Sequence, residues 1–298
     1  MRTLSADVGG TFTDLVLIDA EGREVYLDKV PSTPGRADAV LSGIRRLSEA
    51  AGITPADINI FVHGFTVGTN AFLTRNGAKV AMAVTSGMRD VLEIGDQTRP
   101  HLYRLSQSKP QPVIPRSRMV EVKERRDAFG NVVTALTEEE ARRVAKALAA
   151  LEPESVAVCL GFSYLDSGHE IMLEQEIGNL LPRIPIYLSS RVNPQIEEYP
   201  RANTTAIAAY VGPVVDRYVS TLDQALAGER VNAPLRLMRS DGGVATPQSA
   251  RDNPASMLLS GPAGGVIAGA AMATELEVED IVTFVADFGI GDDEFLFI

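Results

Sequence analysis

An α/β fold with a mixed sheet that opens in a β-hairpin is predicted by three features of this sequence. Short β-type runs alternate with helix-patterned segments along the chain. The alternation starts with two apolar runs, from Leu4 to Val8 and from Leu15 to Ile18, joined through a Gly-Gly-Thr turn. The 298 residues, 45% of them hydrophobic, supply a substantial core and a length suited to about two domains.

The elements follow in order. Glu24 to Val30 reads as a third strand, ended by Pro31 and Pro34. From Ala37 to Ala51, Val40, Ile44 and Leu47 recur at helical spacing and Gly52 supplies the stop. Ile58 to His63 is a strand, Val67 to Arg75 a helix, and Lys79 to Thr85 a strand entering Ser86-Gly87 and a short helix. Gln97 to Arg118 is polar and Pro-rich, a long surface excursion of the kind that often carries function. Met119 to Arg125, Thr137 to Leu151 and Ser155 to Leu160 continue as strand, helix and strand, with Thr137 and Glu140 predicting a capping box. A helix from His169 to Leu181 and a short strand from Pro185 to Leu188 follow. Arg191 to Pro200, with two prolines, reads as a join, so the expected domains are 1–190 and 191–298. Beyond it come a helix (Ala202 to Leu226), a strand (Leu235 to Arg239), a helix (Ala263 to Ala273) and a last strand (Ile281 to Ala286).

Composition narrows the function classes. Lys and Arg number 28 against 39 Asp and Glu, a net charge of −11. Phosphate-backbone binding to nucleic acid needs clustered Lys and Arg, so a nucleic-acid partner is not expected. No basic amphipathic segment suggests a membrane surface, and no apolar run approaches the ~20 residues of a span. The N-terminus lacks a signal pattern, and the single Cys159 excludes an internal disulfide framework. The expectation is a soluble, cytoplasmic protein.

The stretch Asp7-Val8-Gly9-Gly10-Thr11-Phe12-Thr13-Asp14 carries the most chemistry. Its glycines free the backbone for unusual dihedrals and close ligand approach. Successive N–H groups in such a turn can cradle an anion. Thr11 and Thr13 add hydroxyls, and Asp7 and Asp14 are hard oxygen groups suited to Mg²⁺. The reading is a nucleotide phosphate site with its metal; the alternative is a plain tight hairpin. It is not a Walker loop, because no GxxxxGK[ST] occurs.

A second cluster, His63-Gly64-Phe65-Thr66-Val67-Gly68-Thr69-Asn70, closes a strand and opens a helix with Thr66 at the cap position. His63 could hydrogen-bond a substrate or carry protons, or could be satisfied by backbone. A third, Ser260-Gly261-Pro262-Ala263-Gly264-Gly265, suits a helix start with Pro262 in its first position, and its glycines allow close packing or ligand approach. Ser240-Asp241-Gly242-Gly243 reads as a simple turn. Cys159 lies in a buried-strand pattern and reads as core.

Together these clusters resemble the hydantoinase A / 5-oxoprolinase family. DVGGTFTD (Asp7 to Asp14), HGFTVGTNAFL (His63 to Leu73), SGMRDVLEIGDQ (Ser86 to Gln97), NPQIEEY (Asn193 to Tyr199), SDGG (Ser240 to Gly243) and LSGPAGGV (Leu259 to Val266) fit in order over nearly the whole chain. The resemblance implies an actin-like ATPase (ribonuclease H-like) fold. It also implies ATP-dependent phosphorylation of the carbonyl of a cyclic amide of hydantoin or 5-oxoproline type, after which water opens the ring; carboxylase relatives activate ketones. By match, Gly9, Gly10, Thr11 and Thr13 would donate to the β- and γ-phosphates of ATP and Asp7 would organise Mg²⁺. His63, Thr66 and Asn70 would lie on the substrate side, and a hydantoinase B-type subunit would be a partner. The family continues into a second actin-like half with a second phosphate loop. Asp287 to Glu294 begins like that loop, but Ile290 replaces its second glycine and acids replace its hydroxyl residues. Phe65 stands where the family often has Thr. This chain is therefore expected to be an N-terminal portion, weak or inactive alone. Phe284, Phe288, Phe295 and Phe297 would seek a covering surface, which predicts homo-oligomers. The remaining alternatives are a non-catalytic nucleotide-binding or assembly module and a sugar-kinase-like phosphotransferase.

Overall fold

Two sheets built on different principles organise the chain. The computed structural model describes residues 1–19, 24–33, 36–98, 103, 110–278 and 281–282. In chain order these form β1 (Thr3–Val8), β2 (Phe12–Ile18), β3 (Val25–Pro31), α1 (Asp38–Ala50), β4 (Ile60–Phe65), α2 (Val67–Leu73), β5 (Val80–Thr85) and α3 (Val91–Ile94). There follow β6 (Met119–Val122), β7 (Arg125–Arg126), β8 (Val132–Thr134), α4 (Glu138–Ala149), β9 (Ser155–Cys159), α5 (Gly168–Leu180), β10 (Ile186–Leu188) and α6 (Ser189–Val192). The last elements are α7 (Glu198–Gly228), β11 (Leu235–Met238), β12 (Val244–Ala245), α8 (Pro247–Asp252) and α9 (Ser260–Glu275). By contact they fall into two compact units: Met1–Asn76 with the described residues from Val214 onward, and Gly77–Pro213.

The first unit holds a mixed sheet of order β12-β11-β4-β1-β2-β3. β1 runs antiparallel to β2 and parallel to β4, and β4 runs parallel to β11. Burial alternates along the hairpin as a half-covered sheet requires. Leu4, Ala6, Val8, Thr13, Leu15 and Leu17 are buried, while Asp7, Phe12, Asp14 and Ile18 are exposed. Helix α1 covers the buried face so closely that a Cβ at Gly43 would come 2.3 Å from Leu15 Cδ1.

The second unit is a parallel sheet of order β10-β9-β5-β6. Every residue of β5 and β9 is buried, as expected when both faces of a parallel sheet are covered. Val144, Leu148, Leu173 and Ile177 from α4 and α5 pack on this core. At the carboxyl ends of its strands lies a buried polar network. His169 Nδ1–H donates to Glu124 (2.8 Å), Thr85 donates to the same carboxylate, and Gly161 N–H donates to Thr85 Oγ1 (2.8 Å). Each of its groups has a partner within the network.

Most expected elements occur, with instructive differences. The strand expected over Met119 to Arg125 divides into β6 and β7, and β7 pairs with β8 through a bulge. Thr137 caps α4 by accepting from Glu140 N–H (3.2 Å). The reciprocal half of the capping box is missing, because the Glu140 carboxylate takes the Lys123 N–H (2.8 Å) and Arg143 instead. Helix α9 starts at Ser260, so Pro262 occupies its third position and not its first. Residues 281 and 282 carry no strand. The rest of the expected last strand, the Asp287 to Glu294 stretch, Phe284, Phe288, Phe295 and Phe297 lie outside the described residues. So does most of the middle of the Gln97 to Arg118 excursion. The short elements α6, β12 and α8 had no expectation.

Candidate functional site

β1 and β2 deliver Asp7 and Asp14 to one face, because the two residues are directly paired in the antiparallel register. Lys29 on β3 grips Asp14, with Nζ at 2.9 and 3.2 Å from its two oxygens. Asp7 lies over β4, where its register partner is Gly64; a Cβ there would stand 2.8 Å from Asp7 Oδ1. Gly64 thus leaves room for the carboxylate.

The turn itself is held by Gly9 N–H donating to the Phe12 carbonyl (3.0 Å) and Ser32 N–H donating to the Thr11 carbonyl (2.9 Å). Neither bond consumes the amides of Gly10 and Thr11, and both residues are exposed. The unusual dihedrals expected of the glycines are absent, since neither Gly9 nor Gly10 has a positive φ. A Cβ at Gly9 would meet the Phe12 carbonyl oxygen at 3.1 Å, whereas one at Gly10 would meet open space. Thr13 departs from expectation: its side chain is buried and its hydroxyl pairs with Ser32 Oγ (2.9 Å), away from the exposed turn. Alternation places Thr13 on the covered face once Asp14 is exposed.

His63 is likewise moved from the expected open strand end into the core. It is 0% exposed, with Nδ1 3.1 Å from the Ala6 carbonyl and Nε2 2.7 Å from the Tyr218 hydroxyl. The carbonyl can only accept, so Nδ1 carries the proton and Nε2 accepts from Tyr218. Burial pushes the imidazole down to about 4, outweighing the opposing Ala6 hydrogen bond. Thr66 stands at the start of α2 without capping it; its hydroxyl donates to the Val8 carbonyl (3.2 Å) and receives Asn70 Nδ2–H (3.3 Å).

Gly264 and Gly265 sit inside the opening turns of α9. A Cβ at Gly264 would be 3.7 Å from Met238 Cε, an ordinary contact, so packing against β11 does not require glycine there. The turn after β11 also meets α9, for a Cβ at Gly242 would be 2.2 Å from Ile267 Cδ1. Leu259, just before the helix, takes a left-handed φ of 60° and its N–H donates to Thr69 Oγ1 (3.2 Å).

Among the described residues no group of three or more His, Cys, Asp or Glu forms a preassembled metal cluster. Mg²⁺ keeps most of its waters and is held by one or two carboxylates and the phosphates of its ligand, so it needs no such cluster; of the two acids expected to hold it, Asp14 is engaged by Lys29. Also among those residues, no helix is long and apolar enough to cross a membrane.

The family model for the hydantoinase/oxoprolinase N-terminal region matches residues 3–181, and the hydantoinase/oxoprolinase model matches residues 201–289. The chain belongs to the hydantoinase/oxoprolinase family. It is 30% identical over 287 residues to caprolactamase subunit alpha of Pseudomonas jessenii, covering 94% of this chain and 41% of that one. The solved structure of that organism's ATP-dependent caprolactamase superposes with a TM-score of 0.82 over 92% of this chain and 40% of the other. A nucleotide-free acetone carboxylase structure gives the same TM-score at 26% identity, over 93% of this chain and 41% of that one. The 5-oxoprolinase of Saccharomyces cerevisiae is 32% identical over 308 residues, 89% of this chain and 23% of its own length. The chain thus spans about two fifths or less of these relatives, and over that part it shares with the two solved structures an α/β fold, with the mixed sheet expected from the sequence.

The structure brings Asp7, Asp14 and the Gly9–Thr11 turn together, ties Thr66 to the end of β1, and withdraws Thr13 and His63. Sequence reasoning missed Gly64, Lys29, Ser32 and Tyr218. Gly64 was readable as the glycine beside His63; nothing local marks the other three, which reach the site through strand register or a helix distant in sequence.

Proposed function

We propose that the Gly9–Thr11 turn and Asp7 form the first phosphate and Mg²⁺ half-site of an ATP-dependent amidohydrolase that opens cyclic amides through carbonyl phosphorylation. The observation that carries this reading is the pairing of an exposed acid and two exposed turn amides with glycines at both approaches. Gly64 leaves room for the Asp7 carboxylate, and Gly10 has no Cβ requirement from the protein's own packing. Its lack of a side chain is useful to a ligand that approaches the main chain closely. In this reading the amides of Gly10 and Thr11 and the Thr11 hydroxyl hold phosphate oxygens, and Asp7 orients the waters of the cation. Mg²⁺ supplies charge neutralisation, since phosphoryl transfer is mainly positioning and electrostatics. Family membership and the ATP-dependent caprolactamase relative support ATP as the nucleotide and a lactam or related cyclic amide as the substrate class. The relative's designation as a subunit supports a hydantoinase B-type partner.

Calorimetric titration with Mg-ATP tests the half-site. Wild type should bind, and Asp7→Ala and Gly10→Ala should each lose about tenfold in affinity, roughly one to two hydrogen bonds' worth. Absence of binding by a folded wild-type chain overturns the reading.

A further inference from the structure

We propose that His63 and Tyr218 are a buried positioning pair that fixes Asp7 and the end of β1, and that neither touches a substrate. The inference rests on the phosphate reading of the turn; it gives His63, a residue of the family motif expected on the substrate side, a supporting role instead, and adds Tyr218, which lies outside the quoted motifs.

The geometry starts at α7. The Tyr218 hydroxyl donates to His63 Nε2 at 2.7 Å, and His63 Nδ1–H donates to the Ala6 carbonyl at 3.1 Å. That carbonyl belongs to the peptide group whose nitrogen is Asp7's own, so the relay fixes the peptide plane entering Asp7. The Val8 carbonyl, two residues on, is held by Thr66, whose N–H and hydroxyl both donate to it (3.3 and 3.2 Å). Asp7 is therefore bracketed on both sides by bonds from β4 and its extension. The relay is rigid because its rings are packed: His63 lies 5.7 Å from Phe61, Phe65 and Tyr218, and Phe65 lies 5.2 Å from Tyr218. Tyr218 is 2% exposed and His63 fully buried, so no substrate reaches either. Burial keeps His63 neutral at ordinary pH, in the one tautomer the relay needs. Burial raises the Tyr218 hydroxyl, and the Asp7 charge adds to it.

A pair that only stabilised the fold would change melting temperature and nothing else. A pair that orients Asp7 changes how well the chain recognises the cation on a nucleotide. Two variants separate these roles. Tyr218→Phe keeps the ring and removes the donor. The double variant His63→Leu with Tyr218→Phe also removes the imidazole, which would otherwise be left buried with an unmet nitrogen; replacing both partners avoids that penalty. ATP is titrated with and without Mg²⁺ well below each variant's melting temperature. The expected result is a loss of about tenfold in Mg-ATP affinity in the double variant, a smaller loss in Tyr218→Phe, and Mg-free ATP affinity within about twofold of wild type. Wild-type binding with an unchanged ratio of the two affinities in both variants overturns the pair's role and leaves the half-site standing. No wild-type binding of Mg-ATP overturns the half-site reading itself, and this inference with it.

Discussion

At the turn the two glycines have different reasons to be glycine. A Cβ at Gly9 crowds the Phe12 carbonyl, while one at Gly10 enters open space with no positive φ to strain it. Gly9→Ala should therefore lower stability, whereas Gly10→Ala should stay within about 0.5 kcal/mol in urea denaturation and lose nucleotide affinity only. His63 gives a pH signature. Its folded value of about 4 lies below the usual 6.5, so between those values the unfolded chain binds more protons than the folded one. Stability is complete above about pH 6.5 and falls by up to roughly 3 kcal/mol as pH drops toward 4. Melting temperatures measured from pH 7 to 4 should fall more steeply for wild type than for the His63→Leu, Tyr218→Phe double variant. Cys159 is buried and its thiol is pushed up to about 11, chiefly by that burial. A thiol reagent at pH 8 should leave it unmodified until denaturant is added.

At the scale of elements, local pattern worked where one face is buried and failed where a neighbour intervenes. The hairpin, α1 and α4 follow from alternation and helical spacing, because their own side chains decide which face is covered, and β5 and β9 follow from continuous apolar runs buried on both faces. The long α7 is different, since it carries Pro213 in its interior. Proline lacks the N–H that would bond the Ala209 carbonyl four residues earlier. Ser155 fills that role, donating its hydroxyl to Ala209 at 2.6 Å. Ser155→Ala should cost about 1–3 kcal/mol, read from urea midpoints, because the carbonyl is then buried without a donor. The glycine beside the proline is equally contextual: a Cβ at Gly212 would be 2.0 Å from the Tyr187 hydroxyl. The helix expected from Ala202 to Leu226 does run through both residues, and these two partners, neither adjacent in sequence, are what accommodate them. The capping box at Thr137 was half right for the same reason, since Glu140 found a stronger use at the end of β6.

For the whole molecule, contact in space and order along the chain divide the protein differently. The boundary near residue 190 remains a proposal about sequential modules. The compact units are Met1–Asn76 with the residues from Val214 onward, and Gly77–Pro213. Asn76-Gly77 and Gly212-Pro213 stand at those points, but nothing local says that β4 finds its parallel neighbour β11 beyond the intervening unit. Helix α9 and the residue after it leave Val266, Ile267, Met272 and Leu276 exposed, an apolar surface that favours association. The isolated chain should self-associate in light scattering at high concentration, and Met272→Lys with Leu276→Lys should reduce it. A clean wild-type monomer would count against that expectation.

By itself the sequence determined the fold class, the order of the main strands and helices, the family and the position of the turn proposed to hold phosphate. Each of these is written in local periodicity or in contiguous motifs. Only the tertiary structure decided which motif residues face outward. Register put Asp7 and Asp14 on the exposed face and Thr13 on the covered one, and a ring from α7, 155 residues away in sequence, turned His63 from an apparent strand-end acid–base group into a buried support. The physical reason is that side-chain direction and solvation depend on what packs against a strand, and a strand's own residues do not specify that neighbour.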